Sequence, residues 1–264
     1  MTPSLLRFPC SNSHQMMGVL PQGLLCWSRG IYGGQHCLSL RHPQALLMID
    51  IKVERRCIHL SPVEQALAKA AASRQAMAIQ LEAQLAGRLH GYTPVTSFSV
   101  PEEVLKYMVW KYSEQLVHRA LDEVRFWFTY SSGICLQPGY PPLFYGCRGR
   151  RGVSPNKSAV AAIGEAVAGL LAQWLYQCHL LARPYGDYPD LVLNEGKQTF
   201  LVEAKGTTQP IAVLHQVMNE ELLRMAAYVS ACAELDVRTV RGLLVGTCLL
   251  SESHYQVLLT EVQV

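Results

Sequence analysis

The stretch Tyr188-Pro189-Asp190-Leu191-Val192-Leu193, the turn Asn194-Glu195-Gly196-Lys197 and the run Thr199-Phe200-Leu201-Val202-Glu203-Ala204-Lys205 decide the fold. Two short β-rich runs flank a glycine-bearing turn, which is the signal of a β-hairpin. Successive side chains on a strand leave opposite faces, so Glu203 and Lys205 share one face while Phe200, Val202 and Ala204 take the other, against the core. Asp190 begins the partner strand, and pairing is expected to bring its carboxylate near that of Glu203.

Upstream, Ser158 to Ala182 reads as one long helix, apolar nearly all round, in which Glu165 is the only formally charged residue between Lys157 and Arg183. An unpaired carboxylate on a buried apolar helix is costly or shifts its pKa upward. A cation is the simplest compensation, and capping by a neighbouring hydroxyl or amide is the alternative. Downstream, Pro210 opens an amphipathic helix through about Ala233, followed by strands from Gly242 to Leu250 and from Tyr255 to Val262. Helix, hairpin, helix, strand, strand is the order of an α/β layer structure.

Converging carboxylates with no His or Cys among them are hard oxygen ligands of the kind that suit Mg²⁺. Gly164-Glu165, then Tyr188-Pro189-Asp190-Leu191-Val192, then Val202-Glu203-Ala204-Lys205-Gly206 resembles the PD-(D/E)XK nuclease superfamily, or restriction-endonuclease-like fold, over about Gly152 to Leu250. The resemblance implies an αβββαβ core and metal-assisted hydrolysis of DNA phosphodiester bonds that leaves a 5′-phosphate, with RNA as an alternative substrate. It further implies that Asp190, Glu203 and the backbone carbonyl of Ala204 hold Mg²⁺, for which Mn²⁺ substitutes. Glu165 completes the site directly or through water, and Lys205 positions the attacking water. The strand that the resemblance requires before Asp190 is confined to Arg183 to Tyr188. The rival reading, from a different class, is a non-catalytic nucleic-acid-binding or assembly module that keeps the fold.

Around this constellation, Arg148, Arg150, Arg151 and Lys157 cluster just before the Glu165 helix, where they form either a phosphate-contacting loop or a solvated one. Thr207, with Thr208 and Gln209, is placed to cap the next helix or to touch a nucleic-acid backbone. Gln216, Arg224 and Tyr228 project from that helix.

In the first half, Ser61-Pro62-Val63-Glu64 is a capping box that opens a helix running to Gly87 or Gly91. Ser99-Val100-Pro101-Glu102 is a second box, and Val104, Met108, Leu116 and Leu121 recur after it as one buried face. From Phe126 to Arg151 aromatics, glycines and prolines break the pattern. The expected organisation is a flexible basic tail or leader at 1–44, a mainly helical accessory region at 45–150 and a nuclease-like domain at 151–264.

Composition sets the outer bounds. The 264 residues are 50% apolar and 16% charged, with a net charge of +3 and a mean hydropathy of +0.11, which excludes a disordered chain and a histone-like polycation. No uninterrupted apolar run approaches the roughly 20 residues of a membrane span, so a soluble protein without a membrane partner is expected; the resemblance implies DNA, possibly RNA, as the partner, with a homodimer left open. Nine cysteines without a CxxC pair, several of them in apolar stretches, suit a reducing, cytoplasmic compartment. Arg7, Arg29 and Arg41 without any acid before Asp50 are the pattern of an organelle transit peptide, which keeps a mitochondrial location as the alternative.

Overall fold

A computed structural model describes residues 47–131, 135–138, 144–147, 154–184, 188–235 and 238–264. The chain enters through β1 (Met48–His59), α1 (Pro62–Ala71), α2 (Gln75–Ala86), β2 (Thr93–Pro101), α3 (Glu102–Tyr112) and α4 (Ala120–Ser131). A two-stranded ribbon follows, β3 (Cys135–Pro138) with β4 (Phe144–Cys147). The remainder is α5 (Lys157–Tyr176), β5 (His179–Ala182), β6 (Leu191–Glu195), β7 (Gln198–Thr207), α6 (Ile211–Leu235), β8 (Thr239–Leu249) and β9 (His254–Gln263). Seven strands form one mixed sheet in the order β2-β1-β9-β8-β7-β6-β5, so the protein is of the α/β class. The β1–β9 and β7–β8 pairs are parallel and the others antiparallel.

Strand alternation sorts the apolar residues onto two faces. Ile51 and Val53 of β1, Phe200 and Val202 of β7, and Val245 and Val257 pack with α5 and α3. Leu201, Leu244, Leu258 and Val262 meet Leu214, Met218, Leu222 and Met225 of α6 on the other face. By length and composition α5 could cross a membrane, but here it is a central helix, buried almost continuously from Ala159 to Ala172. Two glycines set how closely it lies on the sheet. A Cβ on Gly206 of β7 would sit 2.2 Å from the Val160 carbonyl oxygen, and one on Gly164 would sit 2.9 Å from the Gly206 amide nitrogen. That contact lies beside Glu165 and Lys205.

Several expectations are corrected. Residues 45–150 are not a separate helical region: β1 lies inside the sheet between β2 and β9, and the described residues from Leu47 onward form one compact unit. The reason is β9, apolar on both faces, which would be an exposed edge without the ten residues of β1 paired along it. The helix expected to reach Ala182 stops at Tyr176, where Gln177 turns left-handed at φ 54° and its N–H closes on the Ala172 carbonyl. The strand required before Asp190 therefore lies at His179–Ala182, upstream of Arg183 to Tyr188.

The Ser61 capping box forms with both of its bonds, but the helix it opens breaks after Ala71 and restarts at Gln75. The second box does not form, because Ser99 lies in β2 opposite Asp50 and gives its hydroxyl to that carboxylate across the strand pair. Met108 and Leu121 are buried as expected, whereas Leu116 is fully exposed. The segment after Phe126 stays helical to Ser131. Arg148, Arg150 and Arg151, and the leader or tail at 1–44, lie outside the described residues.

Candidate active site

The site forms where one strand outruns its neighbour. β6 starts at Leu191, which pairs with Val202, and β7 continues through Glu203-Ala204-Lys205 with β8 on one side only. Asp190 stands at this point and takes over the missing ladder bonds. Its Oδ2 accepts from the Ala204 amide at 2.6 Å, and its own N–H donates to Glu203 Oε2 at 3.3 Å. An extended residue points its N–H and C=O to the same side, so the Ala204 carbonyl faces the same gap.

Glu203, only 2% exposed, leaves β7 toward α6 and accepts from Lys205 Nζ at 2.7 Å. Glu221 of α6 holds the same ammonium at 3.2 Å. Behind Glu221 on the helix, the Arg224 guanidinium lies 4.4 Å over the ring of Tyr188, which also packs on Tyr228 at 4.7 Å.

Burial dominates the electrostatics. It pushes the Asp190 carboxyl up to about 6, against the Ala204 N–H bond and with the help of the Glu165 charge. Glu203 rises to about 7, first through burial and then through the Asp190 charge, with Lys205 offsetting part of the rise. Burial alone would lower the Lys205 ammonium, but Glu203 and Glu221 more than compensate and hold it above the ordinary lysine value. The Tyr188 phenol is driven upward by burial and by the Glu203 charge, and its hydroxyl has no partner among the described residues.

The structure thus brings together Asp190, Glu203, Ala204 and Lys205. Glu165 is within electrostatic reach of Asp190, but both its oxygens are taken: the Glu114 amide donates to one at 2.8 Å and Gln115 Nε2 to the other at 3.0 Å. Capping by amides, one of its two expected environments, is present and fastens the segment after α3 to α5. Lys157 stands exposed in the first turn of α5. Thr207 Oγ1 accepts from the Gln209 amide at 2.9 Å, and Gln216 bonds Glu220 at 3.0 Å on the exposed side of α6. None of these bonds reaches the acid pair.

Sequence reading missed Glu221 and the Glu114–Gln115 amides. Glu221, Arg224 and Tyr228 sit at i, i+3 and i+7, so helical periodicity did place them on one face. It could not tell that this face overlooks Lys205.

Among the described residues no three His, Cys, Asp or Glu side chains are grouped to hold a metal ion. The available donors are two carboxylates and a carbonyl, the sparse oxygen set with which Mg²⁺ retains several waters. A buried and a half-buried acid, both raised by desolvation and Glu203 pushed further by Asp190, are an environment that a divalent cation relieves, and the residues fit such an ion on that ground. No protein-family model, curated protein or solved structure matches the chain.

Proposed function

We propose that this protein is a divalent-metal-dependent nuclease that hydrolyses DNA phosphodiester bonds, built on a restriction-endonuclease-like core. The observation that carries the reading is the meeting of Asp190 and Glu203 at the start of β6, with Lys205 bonded to Glu203 and the Ala204 carbonyl turned into the same gap. The element order α5-β5-β6-β7-α6-β8, an αβββαβ succession, supports it.

Asp190, Glu203 and the Ala204 carbonyl would hold Mg²⁺ or Mn²⁺, which when bound lowers the pKa of a coordinated water and stabilises charge on the scissile phosphate. The chain's own groups do the rest. Lys205, kept protonated by Glu203 and Glu221, orients the attacking water and offsets negative charge that develops on the phosphate. Glu221 fixes the position of that ammonium from the helix side. Glu165 acts one step back, holding the 114–115 amides beside Asp190.

One observation favours the rival reading, a non-catalytic nucleic-acid-binding or assembly module of the same fold. The third acid of the motif is spent on amide bonds, as in a purely structural helix. Incubation with plasmid, single-stranded DNA and RNA in Mg²⁺ or Mn²⁺ separates the two. The nuclease reading expects metal-dependent cleavage that falls at least about 100-fold in Lys205→Ala. Wild type and variant equally inert on every substrate would leave the binding module, and cleavage of RNA alone would change the substrate.

A further inference from the structure

Arg56 of β1 carries a guanidinium that the proposed nuclease centre does not use. The residue is 7% exposed and faces α6. A cation taken out of water is expensive unless an anion answers it, yet among the described residues the hydrogen-bond partners of Arg56 are neutral. Nε donates to Thr260 Oγ1 at 2.9 Å and Nη2 donates to Asn219 Oδ1 at 2.8 Å. The guanidinium plane lies 4.5 Å over the ring of Tyr92, whose hydroxyl bonds Thr260 at 2.7 Å and whose edge meets His215. Burial lowers the guanidinium pKa, as expected of a charge without a counterion.

Of the five N–H donors of a guanidinium, these bonds use two. Asn219 accepts through Oδ1, which leaves its Nδ2 amide beside the guanidinium as a further donor, and Asn219 itself is exposed. Nη1 of Arg56 has no partner among the described residues and is not one of the buried atoms left without one, so it reaches solvent beside the exposed Asn219. A tetrahedral oxyanion has enough oxygens to meet the fork and the amide together.

We propose that Arg56, Asn219 and Tyr92 form a binding site for a phosphate group, separate from the Asp190–Lys205 centre. Arg56 pairs with Thr260, Thr260 with Leu244 and Leu244 with Glu203, so one row of residues crosses the sheet between the two sites. Three strand spacings put them about 14 Å apart. The phosphate is either free or borne on a nucleic-acid strand.

The test is the thermal stability of the full chain in EDTA, titrated with sodium phosphate against sodium chloride at matched ionic strength. Cleavage plays no part in the readout, so the outcome is independent of the nuclease reading. Phosphate is expected to raise the melting temperature of wild type and of Lys205→Ala alike. The rise disappears in Arg56→Gln, and the apparent affinity falls at least about fivefold in Asn219→Ala. If Arg56→Gln does not fold, the exposed Asn219→Ala decides. A short oligothymidylate that stabilises more than inorganic phosphate at equal phosphate concentration assigns a strand-borne group, and the reverse assigns free phosphate. No phosphate-specific rise in wild type, or a rise undiminished in Asn219→Ala, overturns the site.

Discussion

Asp190 and Glu203 hold their protons more tightly in the folded protein than in the unfolded chain, where carboxyls titrate near 4. Raising the pH from about 4 to about 7 strips protons that the native state binds better, so metal-free stability falls across that window. A divalent ion bound at the proposed site would compete with those protons, and its stabilising effect would grow in the same direction. Melting temperatures between pH 5 and 8, with and without Mg²⁺, should therefore diverge as the pH rises. Glu203→Gln removes one of the two repelling charges. It is expected to melt higher than wild type at pH 8 without metal and to lose the Mg²⁺-induced rise; a lower metal-free melting point would show that the carboxylate pair is not under repulsion. Glu165→Gln sets a new amide N–H against an existing donor and should cost about 1–3 kcal/mol of stability by denaturant unfolding. A loss confined to metal binding, with stability unchanged, would return Glu165 to the metal site itself.

At the scale of elements, the α5–β7 contact positions the proposed site. The Val160 carbonyl occupies the space that a side chain on Gly206 would need, so Gly206→Ala must push helix and strand apart next to Lys205. We expect about 3 kcal/mol of destabilisation, together with loss of cleavage in whatever fraction still folds. An alanine tolerated at both Gly206 and Gly164 would mean that the close approach is incidental. The β6–β7 hairpin and α6 were legible because alternation and amphipathic periodicity are local patterns. The end of α5 was not. Leu180-Leu181-Ala182 continues an apolar run that suits helix or strand equally, and pairing with Leu193 and Val192 settles it as β5. Ser99 shows the same ambiguity: the second capping box is intact in the sequence, but a partner strand takes its hydroxyl.

Across the whole molecule, the sheet ties the two ends of the described chain together. Ile49, Ile51 and Val53 of β1 belong to the same core as Phe200 and Val202 of β7. β1 covers one side of β9 while β8 covers the other. A fragment of residues 151–264, cut at the boundary that composition suggests, leaves β9 as a long apolar edge and removes part of the core beneath α5. It should be insoluble or lack a cooperative melting transition, whereas residues 45–264 should melt as one unit. A cooperative transition in the shorter fragment would contradict the dependence of β9 on β1.

By itself the sequence determined which residues are the candidates for the proposed site and on which face of their own element each stands. The hairpin around Gly196, the pairing of Asp190 with the Glu203 run, and the shared face of Glu203 and Lys205 all follow from short-range alternation and turn chemistry. The tertiary structure decided the rest. It gave the oxygens of Glu165 to two amides, supplied Glu221 as a second hold on Lys205, and placed β1 beside β9 with the Arg56 guanidinium in the row that ends at Glu203. Each of these joins residues from 16 to 204 positions apart, and a periodic pattern records only the face a residue presents, not the surface that comes to meet it.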